Sequence, residues 1–182
     1  MDHPVLRIGL VGFGAAGQAF LPALDKHPGF KLVAIAEPVA HLREGLLSRF
    51  EGALYDSLDA LLAHPDLDAV YLATPTELHA SQVLMCARYG KHVLVEKPMA
   101  TCLSDAHAMV TAAEEAKVVL LVGHSHSFDR PVQAMRALID SGELGRIRMV
   151  NTWCFTDWMY RPRRSEELDV EKGGGVTFRQ GA

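Results

Sequence analysis

The stretch VLRIGLVGFGAAG, residues 5–17, decides how the rest of the chain is read. Residues 5–11 form an apolar run broken only by Arg7 and Gly9, which predicts a strand buried on both faces. Gly12, Gly14 and Gly17 follow in GxGxxG order, and Ala16, Ala19, Phe20, Ala23 and Leu24 then recur at helical spacing. Strand, glycine turn and helix in that succession make a phosphate cradle. One glycine permits the tight turn, one lets the backbone approach a pyrophosphate, one lets helix and strand pack closely, and the helix N-terminus faces the anion. Pro22 within the helical pattern predicts a kink.

Residues 31–36 (KLVAIA) predict the second strand, and Glu37 closes it, 20 residues after Gly17. A carboxylate there can accept hydrogen bonds from ribose hydroxyls. A glycine turn that is merely structural does not call for it. The predicted cofactor-binding residues at this end are therefore Gly12, Phe13, Gly14, Ala15, Ala16, Gly17 and Glu37. Glu37 would repel a 2′-phosphate, so NAD is favoured over NADP. Arg43, in the next helical segment, could reach back and weaken that preference, which keeps NADP open; its plain reading is a solvated helix arginine.

The same rhythm continues. Leu42, Leu46 and Leu47 mark a helix face, residues 53–55 a short strand, and Ser57 a cap for a short helix through Leu62. Residues 68–73 predict the fourth strand. Thr76 is placed to cap a helix whose Ala80, Val83, Leu84 and Ala87 share a face, and Gly90 sits where a left-handed stop belongs. After a fifth strand, Thr101 opens a helix with Ala106, Met109, Val110 and Ala113 inward, and residues 118–123 make a sixth strand. Uniformly apolar strands separated by helices imply an α/β, doubly wound parallel sheet, a Rossmann fold, over residues 1–123.

After Gly123 the pattern changes. Residues 129–142 predict a helix with Val132, Met135, Leu138 and Ile139 inward, and residues 147–155 a strand of something new. One helix and one strand cannot bury their apolar faces alone. Residues 124–182 therefore read as the beginning of a second, incomplete α/β domain.

The fifth strand lies in KHVLVEKPMA, residues 91–100, where Val93, Leu94 and Val95 run straight into Glu96, Lys97 and Pro98. Opposite charges at the end of a core strand are costly unless something there uses them. In open α/β sheets ligands bind outside the carboxyl ends of the strands, which places Glu96 and Lys97 beside Thr74, Pro75, Glu77 and His79 of LATPTELH. Glu77 and His79 also have a plainer reading, as first-turn residues of the helix behind Thr76. A lysine at this edge can hold a substrate hydroxyl and take its proton as hydride leaves the carbon. Such a lysine should point away from Glu96.

Composition excludes several other classes. The net charge of −4 leaves no basic face that asks for nucleic acid. No apolar run approaches the roughly 20 residues of a membrane span, and the N-terminus lacks a signal-peptide pattern. Cys86, Cys102 and Cys154 are scattered, which argues against a disulfide framework and a thiolate zinc site and suits the cytoplasm. His124 and His126 alternate on one face but lack a third ligand, so no metal is expected; these histidines line the substrate edge or pack at the domain junction.

GFGAAG, ATPTELHA and EKPMA, in this order and spacing, resemble the glucose–fructose oxidoreductase, inositol dehydrogenase and rhizopine-catabolism (Gfo/Idh/MocA) family. The resemblance covers essentially the whole chain, including GHSHSFDRPVQAMRALIDSGELGRI, which is similar to the family's crossover into its second domain. It implies that Lys97 is catalytic, that Pro98 follows a cis bond, and that Glu96 lies near the nicotinamide ribose. The family's glycine run followed by aspartate and histidine is matched by Gly173, Gly174 and Gly175, but Arg179 stands at the aspartate position and the histidine would fall one place past Ala182. The resemblance thus implies an amino-terminal portion of a longer enzyme, one that binds cofactor yet turns over nothing alone. Arg179, with Arg161, Arg163 and Arg164, would suit an acid substrate; a solvated loop is the plainer reading of YRPRR. The tail resembles dehydrogenases acting on phthalate dihydrodiols, while sugars, inositols and amino-sugar acids stay open. The expected partners are a small-molecule substrate, held in part by His124, Arg161 and Arg179, and further copies in a full-length homo-oligomer. A non-catalytic dinucleotide-sensing module is the alternative from another class.

Overall fold

The computed structural model describes residues 4–153, 160, 162, 165–170 and 174–175. Six parallel strands form one sheet in the order β3-β2-β1-β4-β5-β6: β1 Leu6–Val11, β2 Phe30–Ala36, β3 Ala53–Tyr55, β4 Ala69–Leu72, β5 His92–Val95 and β6 Leu120–Val122. The order reverses between β1 and β4, which opens a crevice at their carboxyl ends. Helices α1 (Ala15–Lys26), α2 (Ala40–Glu44), α3 (Leu58–Leu62), α4 (Thr76–Arg88) and α5 (Leu103–Ala116) supply the crossovers.

Burial on both faces accounts for the unbroken apolar strands. One cluster packs Val11, Ala34, Val70, Leu72, Val93 and Val95 against Leu61, Val83 and Met109. The other packs Leu10, Ile35 and Tyr71 against Phe13 and Leu24. Gly9 breaks the apolar run for a packing reason, since a Cβ there would come within 2.7 Å of the Leu61 side chain.

Several local expectations change in register. The buried positions of α1 are Gly17 and Leu24, with Phe20 and Leu21 packed beside them, whereas Ala16, Ala19 and Ala23 are exposed. The helix also runs through Pro22 as one element. Proline removes one intrahelical donor, and it does so on the exposed side. Helix α2 ends at Glu44, so Leu46 is buried from the turn after it and Leu47 faces solvent. Val110 of α5 is likewise exposed. Ser57 caps α3 as expected, accepting from the Ala60 N–H at 3.4 Å, and Gly90 takes φ +64°. Thr76 does not cap, and α5 begins at Leu103 rather than at Thr101. Pro75 precedes α4 and Cys102 precedes α5, neither giving a side-chain cap.

Beyond β6, a short 3₁₀ turn (Ser125–Phe128) leads into α6 (Arg130–Asp140). Its expected inner face is open to solvent, with Met135, Leu138 and Ile139 exposed. Residues 147–153 do not form the predicted strand; no neighbouring strand among the described residues offers them a ladder. The expected strand's remaining residues, 154 and 155, lie outside the described residues.

Candidate active site

The site is built from the backbone ladder continued one residue past each strand. The Gly12 N–H donates to Ala36 O at 2.9 Å, Ala73 to Val11 O at 2.9 Å, Glu96 to Leu72 O at 2.9 Å and Gly123 to Val95 O at 2.8 Å. These bonds hold the glycine turn, the end of β2 and the loops after β4, β5 and β6 along one sheet edge.

The three glycines divide the work of the turn. Gly12 has φ +88°, a left-handed conformation that side chains resist, and a Cβ there would sit 2.7 Å from Ala73 O. Gly17 lies under the turn, where a Cβ would meet Gly12 O at 2.3 Å. At Gly14 a Cβ would meet nothing within 4 Å, so the chain is open to a ligand there. Gly14 precedes α1 with no side-chain cap, and the neighbouring Ala15 and Ala16 are exposed. Uncapped amides behind an open backbone fit a pyrophosphate.

Glu37 is buried, at 4% exposure. One carboxylate oxygen accepts from the Phe13 N–H at 2.7 Å, the other from Val39 at 2.8 Å. The residue therefore ties the glycine turn to the end of β2, and each oxygen retains lone-pair capacity for a ribose hydroxyl. Gln18 strengthens the same corner by donating to Phe13 O at 3.0 Å. Arg43 does reach back, donating to the carbonyls of Glu37 at 2.6 Å and Pro38 at 3.3 Å.

At the end of β4, Thr74 donates from its hydroxyl to the Gln82 amide oxygen at 2.5 Å, while Pro75 and Glu77 are exposed. His79 is buried inside α4, with both ring nitrogens at main-chain carbonyls. At the end of β5, one Glu96 oxygen accepts from the Tyr71 hydroxyl at 2.7 Å and the other from the Lys97 N–H at 3.2 Å. Burial, and then the hydrogen bond to Glu96, push the Tyr71 hydroxyl pKa up and keep it a donor. The Lys97 side chain is exposed, and the Lys97–Pro98 peptide bond is cis.

His124 is exposed after β6, and His126 faces Asp129 through Nδ1 at 2.9 Å. Among the described residues no group of three or more His, Cys, Asp or Glu side chains is arranged to hold a metal ion. No described helix is long and apolar enough to cross a membrane. Cys86 is buried and Cys102 exposed, both free. Arg161, Arg163, Arg164, Gly173, Arg179 and Cys154 lie outside the described residues.

Sequence reasoning missed Gln18, Tyr71 and Gln82. Tyr71 carried a signal, because a tyrosine in a fully apolar strand needs a partner for its hydroxyl.

A parallel sheet in this order, with an open glycine turn and a carboxylate beyond β2, defines a Rossmann dinucleotide-binding domain. The family model described as an oxidoreductase family with an NAD-binding Rossmann fold matches residues 6–124, and the GFO/IDH/MocA C-terminal domain model matches residues 132–182. The chain belongs to the Gfo/Idh/MocA oxidoreductase family. It is 42% identical over 177 residues to 1-carboxy-3-chloro-3,4-dihydroxycyclohexa-1,5-diene dehydrogenase of Comamonas testosteroni, covering 96% of this chain and 44% of that protein. It is 32% identical to inositol 2-dehydrogenase of Rhizobium meliloti (strain 1021), covering 96% of this chain and 51% of the relative. The crystal structure of the WlbA dehydrogenase from Bordetella pertussis, in complex with NADH and UDP-GlcNAcA, superposes with a TM-score of 0.88 at 31% identity, covering 100% of this chain and 53% of that one. The chain thus spans about half the length of these relatives.

Proposed function

We propose that this chain is the nucleotide-binding part of a nicotinamide-dependent dehydrogenase, joined at about Gly123 to the start of its substrate domain. The reaction is hydride transfer from a secondary alcohol of a cyclic diol acid, polyol or sugar. The observation that carries this reading is the placement of Lys97: exposed, on the edge shared with the open glycine turn, with the neighbouring Glu96 carboxylate turned onto Tyr71. A diol acid is the substrate class favoured by the 42% identity to a dehydrogenase of a carboxylated cyclic diol. Arg161 and Arg179 are proposed to hold its carboxylate and His124 to face its ring.

A bound nicotinamide supplies the hydride acceptor. Gly12, Gly14 and Gly17 shape the turn, and the first amides of α1, at Ala15 and Ala16, hold the pyrophosphate. Glu37 takes the adenosine ribose, Thr74 and Pro75 border the nicotinamide, and Glu96 meets its ribose. Lys97 holds the substrate hydroxyl and accepts its proton as the C–H bond breaks and the carbonyl forms. Glu96 accepts from two neutral donors, the Tyr71 hydroxyl and the Lys97 main-chain N–H. In this reading the exposed face of α6 is where the remainder of the substrate domain packs, and full-length copies associate through that domain.

Titration of this chain with NADH and NADPH, read by fluorescence, is the first test. Saturable binding with NADH tighter is expected; tighter NADPH would reassign the corner of Glu37 to Arg43. In a polypeptide spanning both family domains, Lys97→Ala should lower kcat by about 10²–10⁴ and leave NADH affinity within a few-fold. Unchanged turnover would remove Lys97 from the mechanism.

A further inference from the structure

We propose that His79 is a positioning residue for Lys97, a buried strut between the loops that follow β4 and β5. The ring is 1% exposed. Its Nδ1 lies 2.9 Å from the carbonyl oxygen of Pro98, the residue after Lys97, and its Nε2 lies 2.9 Å from the carbonyl oxygen of Thr74. Whichever tautomer the ring adopts, at least one contact is an N–H donated to a carbonyl. The two nitrogens sit on different edges of a rigid ring, so the imidazole sets the spacing of two loops remote in sequence. It does so from inside α4, whose Val83 and Ala87 are anchored in the core.

The consequence falls on Lys97. On its N-terminal side, Glu96 is tied to Tyr71 by its side chain and to Leu72 by its N–H. On its C-terminal side, Pro98 is buried and its carbonyl faces His79. An exposed lysine is thus carried between two anchor points, the half-buried Glu96 and the buried Pro98, which gives its side chain a fixed base. Misplacement of a reacting group by about 1 Å can cost about a hundredfold in rate, so the second anchor has a catalytic purpose beyond packing. A histidine that only fills the core would satisfy its nitrogens without governing the lysine. Both ring nitrogens face main-chain carbonyls in this structure, which makes His79 a support of the cofactor edge rather than a ligand of the cofactor.

This inference rests on the proposed role of Lys97, and the test reads the lysine without cofactor. The lysines of the 182-residue chain are labelled by reductive ¹³C-methylation, and the Lys97 signal is assigned by its loss in Lys97→Arg. In His79→Ala the Lys97 resonance and its pH titration should shift, while those of Lys26, Lys31, Lys91 and Lys117 stay in place. His79→Gln, whose amide can donate to one carbonyl, should restore part of the shift. An unmoved Lys97 signal in folded His79→Ala, or in His79→Gln where His79→Ala does not fold, would overturn the proposal. Failure of both variants to fold would also overturn it, by assigning His79 to core stability alone. If the unmodified chain binds neither NADH nor NADPH, the proposed function fails while the lysine readout still decides the strut.

Discussion

Tyr71 shows how one residue joins the core to the chemistry. Its ring packs against Phe20 with centroids 4.6 Å apart, in the middle of β4, while its hydroxyl reaches Glu96 at the end of β5. Removing that hydroxyl leaves a carboxylate oxygen short of a donor in a partly buried place. Tyr71→Phe should therefore destabilise the chain by about 1.5–3 kcal/mol in urea unfolding, in the range for hydrogen bonds to charged groups. An unchanged midpoint would mean that water replaces the tyrosine at no cost. LATPTELH and VEKP mark the two loops in the sequence, but nothing in either stretch announces that a tyrosine from one strand holds the glutamate of the next.

At the scale of elements, the bond between β1 and the approach to β4 sits at the end of the sheet opposite the site. The Arg7 side chain donates to both Asp68 oxygens, from Nε at 2.8 Å and from Nη2 at 2.7 Å, and its N–H adds a third bond at 2.9 Å. The Arg7 hydrogen bonds hold the Asp68 carboxyl at about 2, below its ordinary 3.8. A depressed pKa contributes stability that is complete above the ordinary value and is lost as pH falls from about 4 toward 2. With the Arg7 and Asp68 side chains 40% and 31% exposed, solvent screening keeps the effect to about 1 kcal/mol at most. Asp68→Asn should thus start lower at neutral pH and lose less stability over that acid interval, as measured by urea midpoints at stepped pH. Equal acid slopes in the two proteins would assign the loss to other carboxylates. Arg7 was legible only as an interruption of an apolar strand, because its partner lies 61 residues away.

For the whole molecule, the contrast between the two halves is the dominant feature. The centre of the sheet is buried on both faces, whereas Leu121 of β6 and, after it, Met135, Leu138, Ile139, Met149 and Trp153 lie exposed. Apolar surface gathered in one region favours association in water. The 182-residue chain should self-associate with rising concentration, and replacing Met135 and Leu138 by Lys should reduce this in sedimentation measurements without lowering the melting temperature. A monomer at all concentrations would show that this face tolerates solvent.

The α/β class, the parallel strands, the glycine turn and the edge where Glu37, Thr74, Glu96 and Lys97 gather were all legible in the order of residues. Those features depend on hydrophobic period and on turn chemistry, both of which are local. Sequence reasoning misread the Thr76 cap, the inner stripe of α1 and the orientation of α6, since burial rather than spacing selects which face of a helix turns inward. The bond of Glu37 to Phe13, the hold of Tyr71 on Glu96 and the place of His79 between Thr74 and Pro98 emerge from the folded chain alone. Each of these bonds crosses between elements that the strand order brings together, and a side chain's partner across such a gap is set by register and packing, which no local pattern encodes.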